Sequence, residues 1–161
     1  KDNPSDAFDS DFSHGEIINS NFINIGNDAI DVSGSEVNID SVVIKSALDK
    51  AISIGEKSRI IGKSVTIQES GIAISAKDSS SFIFDTVKLS HNNVAFALFN
   101  KKSEFSGASG TVNNATLLNN KVKYLVESGS EIRINDSLIK GKIKNVKKLM
   151  YGKKYGAKTI K

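Results

Sequence analysis

Five aspartates stand at spacings that would gather them on one surface. Asp6, Asp9 and Asp11 share one stretch, and Asp28 and Asp31 follow 22 residues after Asp6 and Asp9. Crowded carboxylates repel one another, and a bound cation relieves that repulsion. An all-oxygen ligand set suits Ca²⁺, so Asp6, Asp9, Asp11, Asp28 and Asp31 are the candidate metal ligands. Lys50 stands 22 residues beyond Asp28, and Ser53 22 residues beyond Asp31. The same residues also suit a purely structural role. Asp at a chain corner caps the turn through backbone hydrogen bonds, and Lys50 can pair with Asp28 or Asp49. His14 and His91 are 77 residues apart and form no pair.

The number 22 has meaning because the whole chain repeats at it. Ala7, Ala29, Ala51, Ala73 and Ala95 are spaced by 22 residues, each followed by Phe8, Ile30, Ile52, Ile74 or Phe96. A fixed period in the twenties signals a solenoid in which each repeat is one coil. Residues one period apart then lie side by side. The coils read as 6–27, 28–49, 50–71, 72–93, 94–120 and 121–142. Within them, Val37, Ile39 and Ile44, like Ile132, Ile134 and Ile139, mark strands with one buried face. Alternation places Ile30 and Val32 inside, and Ala29 and Asp31 outside. Gly26-Asn27, Ser33-Gly34, Gly55, Gly71, Asn92-Asn93 and Ser128-Gly129 supply the corners. Short strands between corners cannot form long hairpins, but can pair in parallel with their equivalents in the next coil. Phe8, Ile30, Ile52, Ile74 and Phe96 should stack as one inner ladder, and Val37, Ile60, Phe82 and Ile132 as another.

The fifth coil is five residues longer than its neighbours, so about Asn100 to Gly110 should bulge as a loop carrying Lys101, Lys102 and Glu104. Insertions in solenoids map to loops on one face, often the binding face. Beyond the coils the balance of charge changes. From residue 140 onward there are nine Lys and no acidic residue, whereas residues 1–139 carry 13 basic and 18 acidic residues. Val146, Leu149 and Met150 fall on one side of a short helix, with Lys147, Lys148, Lys153 and Lys154 toward solvent. That predicts a parallel solenoid over 1–142 and a basic segment over 143–161 that caps the last coil, or a basic tail without order. The chain has no cysteine, which removes disulfides, thiolate metal sites and a Cys nucleophile. No apolar run approaches the roughly 18 residues of a membrane span. The basic residues lack interleaved aromatics and the body is net acidic, which argues against nucleic acid as a partner.

The phrases Asp6-Ala7-Phe8-Asp9-Ser10-Asp11-Phe12, Gly26-Asn27-Asp28-Ala29-Ile30-Asp31, Lys77-Asp78-Ser79-Ser80 and Lys101-Lys102-Ser103-Glu104 resemble bacterial right-handed parallel β-helix domains of the pectate-lyase-like class. Asp49-Lys50-Ala51-Ile52-Ser53-Ile54-Gly55 and the Leu149-Met150-Tyr151-Gly152 ending are similar to the β-helix region beside spore-coat-H-like domains of bacterial surface proteins. The resemblance implies an all-β right-handed parallel β-helix of about six coils, in an extracellular or cell-surface setting. Its broader class holds polysaccharide lyases, hydrolases and epimerases, and also non-catalytic stalks and binding modules.

Two functions follow as expectations. The first is a non-catalytic module that binds polysaccharide or serves as structure. The second is a Ca²⁺-dependent lyase or epimerase acting on an acidic polysaccharide. In lyases of this class Ca²⁺ neutralises a uronate while a Lys or Arg takes the proton. Carried over, that implies Asp9, Asp31 and Lys50 at the reaction site, with Arg59 a more distant base. Ser53, Arg59, Lys77, Lys101 and Lys102 are the candidate substrate contacts. The N-terminal end has only Lys1 to Ser5 to cover its first coil, which predicts a head-to-head homodimer through that coil.

Overall fold

The computed structural model describes residues 1–152. The predicted Lys153, Lys154 and Tyr155-Gly156 features lie outside the described residues. The first coil comprises β1 (Phe8–Asp11), β2 (His14–Ile18) and β3 (Asn21–Ile25). In the next four coils the second and third strands fuse into one long bent strand. These coils are β4 (Ile30–Ser33) with β5 (Glu36–Ala47), β6 (Lys50–Gly55) with β7 (Arg59–Gln68), β8 (Ile72–Lys77) with β9 (Ser81–Ser90), and β10 (Val94–Phe99) with β11 (Ser109–Leu118). The sixth holds β12 (Val122–Val126) and β13 (Glu131–Ile134), followed by β14 (Ser137–Lys140) and the helix α1 (Val146–Met150). The chain is a parallel β-solenoid. A six-stranded sheet runs β1-β4-β6-β8-β10-β12, and an eight-stranded sheet runs β14-β13-β11-β9-β7-β5-β2, with β3 also on β5.

The register follows the 22-residue period. Phe8 lies beside Ile30, then Ile52, Ile74, Phe96 and Tyr124. The second ladder runs Val37, Ile60, Phe82, Gly110, Ile132, so a glycine interrupts the expected apolar column. The reason is steric. A Cβ on Gly110 would lie 2.2 Å from the Phe82 ring, and one on Gly62 would lie 2.0 Å from the Phe84 ring. Two phenylalanines fill space left by glycines in adjacent rungs, which keeps the core close-packed.

The outward placement of Ala29 does not hold. Ala29, Ala51, Ala73 and Ala95 are fully buried in the main core beside their large neighbours. Alternation shifts phase at the corner before each strand, so the alanine and the residue after it both pack inward. Lys50, Ile72 and Val94, one position earlier, take the outer side instead.

The corners are held by side chains that reach one coil along. Ser13 N donates to Ser35 Oγ at 3.0 Å, Ser35 N to Ser58 Oγ at 3.1 Å, and Ala108 N to Ser130 Oγ at 3.0 Å. On another edge Ala47 N donates to Ser70 Oγ at 3.2 Å, Ser70 N to Asn92 Oδ1 at 2.9 Å, and Asn92 N to Asn120 Oδ1 at 3.1 Å. These bonds satisfy amides that the turns leave without a strand partner.

The expected short C-terminal helix is present, and α1 packs on the outer face of the six-stranded sheet, against residues of the fourth to sixth coils. Val146 and Met150 are fully buried there against Ile72, Val94, Ala97, Phe99 and Leu125. Asn145 caps α1 by accepting from Lys148 N at 2.8 Å, and Glu127 Oε2 accepts from Val146 N at 2.7 Å. The long fifth coil does loop out, over residues 100–108, but the loop folds back. Asp78 Oδ1 accepts from Lys101 N at 2.6 Å and Lys102 N at 2.9 Å, and Phe105 lies under Lys57 Nζ, 5.8 Å from the ring centroid.

Candidate functional site

The outer face of the six-stranded sheet carries most of the candidate residues, in columns fixed by the register. One column runs Asp9, Asp31, Ser53, Ser75, Ala97, Leu125. A second begins with Asp6, whose Oδ1 accepts from Asp28 N at 2.8 Å, and continues when Asp28 Oδ1 accepts from Lys50 N at 2.9 Å. Lys50 is followed by Ile72, Val94 and Val122. The face therefore grades from carboxylates in the first two coils, through Lys and Ser, to apolar residues under α1.

Lys50 is the centre of an ion cluster. Its Nζ lies 2.6 Å from Asp49 Oδ2 and 3.3 Å from Asp28 Oδ2, with the Tyr151 ring 5.8 Å away. Burial opposes its charge, but Asp28 and Asp49 outweigh burial and hold the ammonium's pKa above the ordinary lysine value. Two carboxylates share one ammonium, so one of them lacks full compensation. That one is Asp28, which burial pushes up to about 6 against the pull of Lys50. A base must be free to accept a proton, and this amine is held in its charged form.

Lys77 has the opposite environment. It is buried, its Nζ donates to Ser53 Oγ at 3.1 Å, and among the described residues it makes no ion pair. Burial pulls its pKa down. Nearby, Asp31 Oδ1 and Ser75 Oγ are buried without a hydrogen-bond partner. Ser53 and Ser75 have no exposed surface.

Asp9 and Asp31 are register neighbours, and the expected repulsion is present. Burial first, and then Asp31, Asp11 and Asp6, push the Asp9 carboxyl up. The donor set does not fit Ca²⁺. Among the described residues no group of three or more His, Asp or Glu is placed to hold a metal ion. Asp6 and Asp28 accept from backbone amides, while Asp9 and Asp11 stay exposed.

The remaining candidates lie elsewhere. Lys101 and Lys102 sit on the fifth-coil loop, where Lys102 pairs with Glu56 and that bond lowers the Glu56 pKa. Arg59 is on the outer face of the eight-stranded sheet. Two shallow grooves meet there. One is lined by His14, Glu16, Glu36, Asn38, Arg59 and Ile61, the other by Arg59, Ser81, Ile83, Ser109, Thr111, Glu131 and Arg133. Arg59 and Arg133 are the only arginines in the sequence. Both are exposed, and among the described residues neither forms an ion pair. Ser81 and Ser109 floor the groove in register with Arg59, and Ile83 and Thr111 in register with Arg133.

Pairing of Lys50 with Asp28 or Asp49 was readable from the sequence, and the structure makes both contacts; the roles of Tyr151, Asp78, Glu56 and Arg133 were not. Only Arg133 left a sequence signal, as the second of two arginines in a lysine-rich chain. No protein-family model, curated protein or solved structure matches the chain; what stands on the geometry alone is a parallel β-solenoid of about six turns with one short C-terminal helix.

Proposed function

We propose that this chain is a non-catalytic β-helix module of a bacterial surface or secreted protein that binds an acidic polysaccharide. The outer face of the eight-stranded sheet is the binding surface. The observation that carries this reading is the shared groove of Arg59 and Arg133, the chain's only arginines, neither of which forms an ion pair among the described residues although Glu131 lines the same groove. A guanidinium presents a planar fork that matches a carboxylate with two hydrogen bonds. Rungs of a parallel sheet repeat at roughly 4.8 Å, so Arg59 and Arg133 stand about 15 Å apart along the face. Serine and threonine hydroxyls lie between them, suited to sugar hydroxyls. An extended chain with repeated carboxylates matches that layout. The bacterial and surface setting rests on the resemblance of the repeat phrases.

Calorimetric titration with polygalacturonate oligosaccharides tests the reading, with dextran as neutral control. The acidic oligomer should bind and dextran should not. Arg59→Ala and Arg133→Ala should each weaken binding about tenfold, the effect of losing one charge-assisted hydrogen-bonded pair, without shifting Tm. Binding that ignores both substitutions sinks the proposal. Depolymerisation of the oligomer would instead favour the lyase or epimerase reading built on Asp9, Asp31 and Lys50.

A further inference from the structure

The outer face of the eight-stranded sheet carries charges in a reversible order. One column runs Glu36, Arg59, Ser81, Ser109, Glu131 and Lys140, each in register with the next. Counted inward from its two ends, this column sets Glu36 against Lys140, Arg59 against Glu131 and Ser81 against Ser109. Among the described residues Arg59, Glu131 and Lys140 form no ion pair, and Glu36 has only the exposed His14, at 3.9 Å. The column beside it runs Asn38, Ile61, Ile83, Thr111, Arg133 and Leu138. Ile61, Ile83 and Leu138 are 43%, 41% and 43% exposed. A bare apolar stripe flanked by charges and arginine has the composition of a protein–protein contact.

We infer that this face docks a second copy of the chain, face to face and with the two stacks antiparallel, about a two-fold axis that runs along the strands between β9 and β11. Such an axis reverses the order of the coils and keeps the position along each strand. It sets Arg59 on the second copy's Glu131, Glu36 on its Lys140 and Ser81 on its Ser109, and symmetry makes each pair occur twice. In the neighbouring column Ile83 meets the second copy's Thr111, and Ile61 meets the aliphatic stem of its Arg133. No like charges oppose each other in either column. Sheets packed with their strands aligned sit about 10 Å apart, within reach of two long charged side chains.

The contact is modest in size. Rungs about 4.8 Å apart and strand positions about 3.3 Å apart give the strands from β5 to β14 a face of about 500 Å². Two copies then bury on the order of 1,000 Å² together, the scale of a reversible contact. The pairing goes beyond oligosaccharide binding and does not rest on it. It uses the same groove, so the two occupants exclude one another, and a dilute single copy leaves the face bare.

Sedimentation of the full chain over a range of concentrations, at low salt and without oligosaccharide, tests this. The mass should pass from one copy to two. Arg59→Glu and Glu131→Arg each set like charges against one another across the axis, and each should weaken association about tenfold or more. The two substitutions combined in one chain restore opposite charges and should restore the pair. Both positions are exposed, so thermal unfolding of the dilute variants should match the parent. A monomer at every concentration overturns the inference. So do single reversals that leave association unchanged, a double reversal that stays apart, or assemblies that grow past two copies.

Discussion

On the eight-stranded sheet the outward positions hold Arg59, Ile61, Lys63, Ile83 and Arg133, all exposed. On the six-stranded sheet the outward positions of the middle coils hold Lys50, Ser53, Ser75 and Ala97, all buried. Both faces come from the same rungs, a few residues apart in the chain. The difference is that Val146, Met150 and Tyr151 lie against one of them. A strand does not determine whether its second face meets water; a distant segment does, and small outward residues let that segment approach. The covered face neutralises Lys50 internally, through Asp28 and Asp49, while Lys77 is left with the Ser53 hydroxyl. The open face leaves both arginines without an ion pair among the described residues.

The comparison can be strained by placing a charge on each face and core in turn. Ile52→Asp puts an unpaired carboxylate into the inner ladder and should cost about 4 kcal/mol or more, read from urea unfolding. Met150→Ala strips the cover from the six-stranded sheet and should cost about 2 kcal/mol, with faster hydrogen exchange in β8 and β10. Exchange unchanged there would mean α1 does not protect that face.

A pH series sharpens the contrast further. The Asp28 carboxyl is held near about 6 in the folded chain, above its ordinary 3.8. The folded state therefore binds that proton more tightly than the unfolded state, so stability should rise as pH falls from about 6 to about 4. Asp28→Asn should remove that rise; the same slope in both proteins would place the titrating group elsewhere. The smallest effect belongs to the open face. Ile61→Asp should stay within about 0.5 kcal/mol of the parent, and a large loss would show that this face is covered too.

Much of the architecture was legible because a solenoid repeats its instructions. Ala29, Ala51, Ala73 and Ala95 announced the period, and the period placed Asp9 beside Asp31 and Ser53 beside Ser75. The extra residue between Gly55 and Arg59 was readable too, since Val37 was expected beside Ile60 and lies there. What the period could not carry was the phase at the corner, where the alanine and the residue after it both pack inward. The sizes of Phe82 and Phe84 required Gly110 and Gly62 across the rung, a pairing visible only once the rungs are stacked. For the site, the columns were readable but their burial was not. Ser53 and Lys77 look like a polar surface until the stacked coils bring Lys77 Nζ onto Ser53 Oγ, 24 residues earlier in the chain.

The left-handed corners have a practical consequence for engineering. Ser41, Ser64, Thr86 and Asn114 hold the bend of the long strands at φ of 55°, 53°, 57° and 49°. L-residues resist that conformation, and a β-branched one such as Thr86 most of all. Each corner is a site where the folded state carries strain that glycine would release, in a position exposed to solvent and remote from both the arginine groove and the ion cluster. A designer seeking a hardier scaffold would begin at Thr86 and work along the column, gaining thermal resistance without touching either face.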